Sequence, residues 1–275
     1  MNPEGTGPAR LRLGLIGAGN MAEALVRGAM AAGIVEPGQI IASDPDPRRR
    51  ELFASLGIVL ADDNLEAAGA VGTVVLAVKP QMLESVLRQL AGRVDSKLVV
   101  SIVAGATSAR ISKALGPGAR VVRTMPNTPL LVDMGATAIA PGPGANSRDL
   151  TLVRALFGAG GAVFEMSEER MDAVTAVSGT GPAYLFYLAE AMIEAAGAEG
   201  FSAADARRLV GATLRGAGEL LCRSEQSPEE LRRRVTTPGG TNAAAVEVLD
   251  AGGVRAKLVQ AVRRAAERSR ELGRG

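Results

Sequence analysis

The residues of this 275-residue chain best placed to do chemistry sit in short glycine- and proline-rich segments that follow apolar runs. The earliest is Ile16-Gly17-Ala18-Gly19-Asn20-Met21-Ala22, directly after the run Leu11 to Ile16. It reads as a strand, then G-x-G-x-x-A, then a helix. Gly17 permits a tight turn, Gly19 lets backbone approach a pyrophosphate, and Ala22 keeps the helix close to its sheet. Alone the pattern is weak, but it opens the first strand–helix unit, the context in which it signals dinucleotide binding.

Asp44 closes the second apolar run, where an acid usually accepts from a ribose 2′-hydroxyl and favours NADH. Arg48, Arg49 and Arg50 follow at once and could hold a 2′-phosphate, which favours NADPH, or simply form a solvated helix start. The two signals conflict and leave both cofactors open. Val74 to Pro80 reads V-V-L-A-V-K-P and ends a strand at the sheet edge where open α/β folds bind ligands, with Pro80 starting a helix. Lys79 there is either a cofactor neighbour or a surface lysine. Arg123-Thr124-Met125-Pro126-Asn127-Thr128-Pro129 also follows a strand. Its prolines stiffen the loop, and Asn127 and Thr128 offer donors to a bound ring, or the segment is only a rigid turn.

Ser178-Gly179-Thr180-Gly181-Pro182-Ala183-Tyr184 joins two helices and exposes N–H groups and hydroxyls at the start of the second, a natural carboxylate site or a plain helix cap. Thr236-Thr237-Pro238-Gly239-Gly240-Thr241-Asn242 repeats the arrangement. Two such anion-ready helix starts suit a small zwitterion bearing a carboxylate.

Composition narrows the chemistry. Histidine is absent, which removes imidazole acid–base catalysis and His-containing triads or metal sites. The single Cys222 excludes an internal disulfide, fits a reducing, cytoplasmic compartment, and reads as a small buried apolar residue in a helix. No metal site is expected. Charges nearly cancel, 31 basic against 29 acidic, and aromatics are only two Tyr and five Phe, so nucleic acid is not an expected partner. No run is long and apolar enough for a membrane span, and Met1 to Ala9 reads as part of a disordered tail, residues 1–10, and not a signal peptide.

The elements that must position these residues change character along the chain. Apolar runs at Leu11 to Ile16, Gln39 to Ser43, Gly57 to Leu60, Thr73 to Val78, Lys97 to Val103 and Arg120 to Thr124 lack polar alternation, as strands covered on both faces do. Helical patterns at Asn20–Ala32, Pro47–Leu56, Pro80–Ala91 and Ser108–Leu115 separate them. The alternation predicts a parallel, doubly wound sheet in an α/β domain over 11–165, extended by strands near Ala136–Ala140 and Ala162–Glu165. Residues 166–275 read as all-helical: Glu168–Val177, Pro182–Glu199, Ala203–Arg223, Pro228–Val235, Asn242–Ala251 and Gly253–Leu272.

Taken in order, G-A-G-N-M-A, A-V-K-P-Q, M-P-N-T-P, S-G-T-G-P-A-Y and T-T-P-G-G-T-N resemble the pyrroline-5-carboxylate reductase family over about Leu11 to Leu272. The resemblance implies a Rossmann-type N-terminal domain and a C-terminal helical dimerisation domain. It also implies a homodimer, often assembled into a decamer, with substrate held between one subunit's cofactor domain and the partner's helices. It further implies reduction of the cyclic imine 1-pyrroline-5-carboxylate by NADPH or NADH. By position, Ile16, Gly17, Ala18, Gly19, Asn20, Met21, Asp44, Asn64, Ala77, Val78, Lys79, Pro80 and Ala104 would line the cofactor, Asp44 and Asn64 at the adenine ribose. Asn127 would lie near the nicotinamide. Glu225 would pair with Lys79 and help close the cofactor site. Gly239, Gly240, Thr241 and Asn242, with Pro238, would hold the substrate carboxylate; Ser178, Gly179, Thr180 and Gly181 form the other candidate substrate turn, and Glu165 is a further substrate-side candidate. Thr241 and Asn242 would orient the imine nitrogen.

Two positions depart from the family pattern. Thr180 replaces a usual Ser and keeps the hydroxyl. Asn242 replaces a usual Thr, and an amide can donate a hydrogen bond but cannot deliver a proton. Two other enzyme-fold readings stand beside the reductase: a β-hydroxyacid-type dehydrogenase, disfavoured because Ser178–Ala196 holds no Lys, and a non-catalytic dinucleotide sensor or scaffold, for which Asn242 argues.

Overall fold

The computed structural model describes residues 13–274; the expected tail and the expected strand start at Leu11 lie outside them. The chain forms two compact units. One runs up to Gly179 and takes in the chain again from Ala265; the other is Thr180–Arg264.

The first unit is an eight-stranded sheet, β1 (Leu13–Ile16), β2 (Ile40–Ser43), β3 (Val59–Leu60), β4 (Thr73–Leu76), β5 (Leu98–Ser101), β6 (Arg120–Met125), β7 (Gly135–Pro141) and β8 (Gly161–Glu165), in the order β3-β2-β1-β4-β5-β6-β7-β8. Its helices are α1 (Asn20–Ala31), α2 (Pro47–Ser55), α3 (Asn64–Gly69), α4 (Leu83–Leu90), α5 (Ser108–Leu115), α6 (Ser147–Gly158) and α7 (Met171–Val174). Successive strand residues point to opposite faces, and here both faces are apolar. Leu13, Leu15, Val75, Val100 and Val122 pack with Leu25 of α1, Phe53 of α2 and Phe157 of α6. Ile16, Val74, Leu76, Val99 and Val121 pack with Ala67 of α3, Leu87 of α4 and Ile111 of α5. The two layers are why the strands read as unbroken apolar runs.

The sheet is parallel from β3 through β6, as expected, but not throughout. β7 runs antiparallel to β6, with Met125 opposite Ala138, and β8 is parallel to β7. Only residues 126–134 connect β6 to β7, and they hold a 3-10 turn at Thr128–Val132. A parallel crossover needs a dozen residues or more, so the M-P-N-T-P segment reverses the chain instead. Two helices went unread in the sequence, α3 and α6. The expected helix at Glu168–Val177 is a 3-10 turn at Glu168–Arg170, then α7, then a π turn at Thr175–Gly179.

The second unit holds α8 (Gly181–Ala198), α9 (Ala203–Arg223), α10 (Pro228–Val235), α11 (Thr241–Ala251) and most of α12 (Val254–Arg274), whose last turns belong with the sheet unit. Local chemistry sets the starts. Ser202 caps α9 by accepting from the Asp205 N–H, and Ser227 and Glu230 form a capping box before Pro228. α8 carries Leu185, Phe186, Tyr187 and Leu188 outward, with Tyr187 77% exposed; α9 exposes Leu209 and Leu220, and α11 exposes Val248. Cys222 lies on α9 but is exposed, not buried as expected. The helices of this unit leave large apolar side chains uncovered by their own chain. Among the described residues no helix is long and apolar enough to cross a membrane, and no group of three or more His, Cys, Asp or Glu could hold a metal ion.

Candidate active site

The loops that leave β1, β2, β4, β5 and β6 emerge at one edge, the carboxyl ends of parallel strands. Strand order reverses direction between β1 and β4, the crevice where open α/β sheets take ligands. Gly17 sits in that crevice with φ +97°, a value side chains rarely adopt, and a Cβ there would lie 2.7 Å from the Ala77 carbonyl oxygen. Its N–H donates to the Ser43 carbonyl at 2.9 Å, and the Ala77 N–H to the Ile16 carbonyl at 2.8 Å. Gly19 differs in kind: no protein atom lies within 4 Å of its would-be Cβ. It caps α1 with no side-chain hydrogen bond, so the first-turn N–H groups at Asn20 and Met21 have no side-chain acceptor. Open space over an uncapped helix start fits a dinucleotide's pyrophosphate.

Asp44 carries a task the sequence did not reveal. Its Oδ2 accepts from the Ala18 N–H at 2.7 Å and its Oδ1 from the Asp46 N–H at 2.8 Å, so it pins the glycine loop to the end of β2. Each oxygen retains a lone pair for a ribose hydroxyl. The neighbouring arginines all have protein partners. Arg49 donates to the Ala18 carbonyl at 2.5 Å and pairs with Glu23 at 2.9 Å; Arg50 donates to the Ala61 carbonyl at 2.6 Å; Arg48 pairs with Asp46 at 3.4 Å on the surface. Burial tends to raise the Glu23 pKa, but hydrogen bonds and charges from Arg27 and Arg49 outweigh it and hold the carboxyl below its ordinary range. Asn64 accepts from the Ser43 hydroxyl and donates to Gln89, both at 2.7 Å.

Val78 is half-buried beside Gly17, and Lys79 is exposed, ahead of the 3-10 turn Pro80–Met82 that replaces the expected clean helix start. Ala104 precedes Gly105, whose φ is +76° and whose Cβ would lie 2.9 Å from the Leu272 Cβ at the end of α12. The chain's last helix therefore buttresses a loop expected to face the cofactor.

Two motif segments far apart in sequence meet here. Asn127 is 9% exposed; its Nδ2 donates to the Ser178 carbonyl at 3.3 Å and hydroxyl at 3.2 Å, and its Oδ1 accepts from the Ala136 N–H at 2.8 Å. A Cβ on Gly179 would lie 2.5 Å from the Met125 methyl, the flexible end of a side chain packed against this turn. The expected helix start at Ser178–Pro182 is present, and it directly follows a π turn. The π turn ends at Gly179, Thr180 keeps helical angles (φ −88°, ψ −18°), and the chain passes into α8 at Gly181 with little interruption. π turns of this kind often mark functional sites.

The second unit carries the other substrate candidates. Gly239 has φ +71°, and Gly240 caps α11 without a side-chain bond; a Cβ on Gly240 would lie 2.6 Å from the Thr237 hydroxyl. Thr241 and Asn242 open α11, and their N–H groups form an anion-ready start. The Asn242 side chain donates to the Val235 carbonyl at 2.6 Å, closing the end of α10. Glu225 is exposed in the turn between α9 and α10. In the sheet unit, Glu165 is exposed and pairs with Arg154 at 2.7 Å; it lines a groove with Ser108, Pro141 and Glu168, and none of the glycine-loop residues lines that groove. Sequence reasoning assigned no role to Arg123, Glu168, Asp172 and Ser269, which form a polar cluster with Arg123 and Ser269 buried and the two acids half-buried; an arginine inside a strand covered on both faces was the signal.

Comparison with known proteins adds to this geometry. The family described as pyrroline-5-carboxylate reductase dimerisation matches residues 168–272, and that described as NADP oxidoreductase coenzyme F420-dependent matches residues 12–105. The chain is 42% identical to the pyrroline-5-carboxylate reductase of Methanosarcina acetivorans, over 96% of this chain and 98% of that one. It is 41% identical to that of Synechocystis, over 96% and 99%. Its fold matches the crystal structure of Plasmodium falciparum pyrroline carboxylate reductase with NADP bound, with a TM-score of 0.89 at 30% identity, over 97% of this chain and all of that one.

Proposed function

Because the chain belongs to the pyrroline-5-carboxylate reductase family, we propose that it reduces 1-pyrroline-5-carboxylate to L-proline with NADPH or NADH, the last step of proline biosynthesis. The observation that carries this is the glycine loop at the β1–β4 crevice, closed by protein at Gly17 and open at Gly19. When bound, the reduced nicotinamide supplies a hydride to the imine carbon.

The protein's own part is grip and orientation. Histidine is absent, and the imine nitrogen is basic, so solvent can protonate it and the site captures the iminium. In this reading the N–H groups opening α11 hold the substrate carboxylate, with Pro238, Gly239 and Gly240 shaping the turn. Thr241 and Asn242 orient the ring nitrogen, and Asn127 stands near the nicotinamide. Ile16, Ala18, Asn20, Met21, Asn64, Ala77, Val78, Pro80 and Ala104 are assigned to the cofactor, Glu225 to pairing with Lys79, and Ser178, Gly179, Thr180, Gly181 and Glu165 to the substrate side.

The protein is a homo-oligomer in this reading, built on the dimerisation region at 168–272, with domains at 11–165 and 166–275, a decamer as the higher assembly and the cytoplasm as its setting. The outward apolar side chains of α8, α9 and α11 support assembly. Purified protein incubated with 1-pyrroline-5-carboxylate and NADH or NADPH in parallel should oxidise cofactor and yield proline. Cofactor binding without turnover would favour a sensor instead.

A further inference from the structure

We propose that Arg123 is a positioning residue for this reduction: its buried guanidinium fixes the register between the M-P-N-T-P loop and the turn that carries Ser178. The proposal rests on the reductase reading.

Arg123 lies on β6 opposite Ala140 of β7 and beside Ser101 of β5, and is 3% exposed. Apart from Ser101, its neighbours on that face are apolar, with Val121 on one side and Ala138, Ala140 and Met171 on the other. A charge in such a place is costly unless paired. Arg123 pairs with Glu168 at 3.4 Å and with Asp172 at 3.2 Å. Both acids are held in turn. Glu168 accepts from the Ser108 N–H at 2.6 Å and from the Ser108 hydroxyl, at the start of α5. Asp172 accepts from the Ser269 hydroxyl at 2.7 Å, on the last turns of α12.

From Asp172 the chain runs through α7 and the π turn to Ser178, and from Arg123 it runs through β6 to Asn127. Asn127 and Ser178 are themselves bonded. The same two segments are thus cross-linked twice, once by an ion pair whose guanidinium is buried and whose carboxylates are half-buried, and once by a buried amide. Stability alone does not explain the ion pair, since a buried salt bridge is often no better than well-packed apolar side chains. What the guanidinium adds is direction: a rigid planar fork addresses two carboxylates on successive turns and so sets where the segment leading to Ser178 lies along β6. Arg123 touches neither substrate nor cofactor in this scheme; it acts through Asn127 and Ser178.

The test uses the full-length oligomer with Arg123→Met, Arg123→Lys and Asp172→Asn, measuring kcat, KM for the imine, the NADPH dissociation constant and the melting temperature. Arg123→Met should lower kcat/KM for the imine by about tenfold or more while NADPH affinity stays within about twofold, because the glycine loop that grips the pyrophosphate is untouched. Arg123→Lys, which restores the charge without the fork, should recover part of the loss. A folded Arg123→Met with unchanged kcat/KM overturns the proposal. So does a loss of NADPH affinity in parallel with imine turnover, the mark of general loosening. Should Arg123→Met fail to fold, Asp172→Asn keeps the Glu168 pair and carries the same test; unchanged turnover there overturns it. Wild-type protein that oxidises no cofactor with the imine would instead sink the reductase reading, and the positioning role with it.

Discussion

The side-chain nitrogen of Asn127 donates to both the carbonyl and the hydroxyl of Ser178, joining the turn after β6 to the π turn before α8 across 51 residues of chain. With its oxygen taken by the Ala136 N–H, this one amide fixes the reversal of the chain and its link to the helical segment together. Asn127→Leu leaves buried polar groups on two segments unsatisfied and should cost ~1–3 kcal/mol in urea unfolding, with a fall in kcat. Asn127→Asp keeps the acceptor, loses the donor, and should fall between. A wild-type unfolding midpoint for Asn127→Leu would refute the bracing role.

Gly17 and Gly19 should separate under the same substitution. Gly17→Ala meets the Ala77 carbonyl and an unfavourable φ, so both thermal stability and cofactor binding should drop. Gly19→Ala meets no protein atom, so its melting temperature should stay near wild type while cofactor affinity falls. Calorimetry with NADPH titration reads both; equal cofactor affinity in Gly19→Ala and wild type would place the pyrophosphate elsewhere.

Asp44→Asn keeps the shape but gives up one acceptor to the Ala18 and Asp46 N–H groups, together with the negative charge. NADH affinity should weaken, and the ratio of NADPH to NADH affinity should rise by about tenfold, since a 2′-phosphate no longer faces a carboxylate. Parallel changes for the two cofactors would mean that the ribose lies away from Asp44.

Asn242→Ala removes the donor to the Val235 carbonyl and a candidate contact to the imine. Imine KM should rise about tenfold or more, with NADPH affinity unaltered. Unchanged KM and kcat would remove Asn242 from the site.

Glu23 supplies a pH signature. Because the fold holds its carboxyl below the ordinary 4.5, the folded chain binds fewer protons than the unfolded one as the pH falls past that value. Its stabilisation is present above the unfolded pKa and is lost as the pH drops through the folded one. Glu23→Gln should therefore flatten the acid side of the melting-temperature profile and leave the neutral region parallel to wild type.

The sequence was most legible where pattern and local chemistry agreed. The glycine loop, the apolar strands through β6 and the helices α9 and α10 lie where the apolar runs and helical patterns put them. Boundaries moved by a residue or two at fraying ends. α6 went unread although its signal was present: Asn146 and Asp149 form a capping box ahead of Val153, Leu156 and Phe157. α3 is only six residues, too short for periodicity to register. The direction of β7 depended on counting the loop before it. An arginine inside an apolar strand signalled a paired charge at Arg123, but its pairing with Glu168 and Asp172, like Asp44's grip on the Ala18 N–H, joins residues whose closeness exists only once the sheet has formed.

The bare apolar flanks of α8 and α11 have a kinetic corollary. If these flanks are covered only by another copy, working protein is a product of encounter, so catalysis per molecule should decay on extreme dilution. Recovery after unfolding should then contain a second-order phase that quickens with protein concentration, and a substitution at Phe186 or Val248 would silence the enzyme by keeping its halves apart.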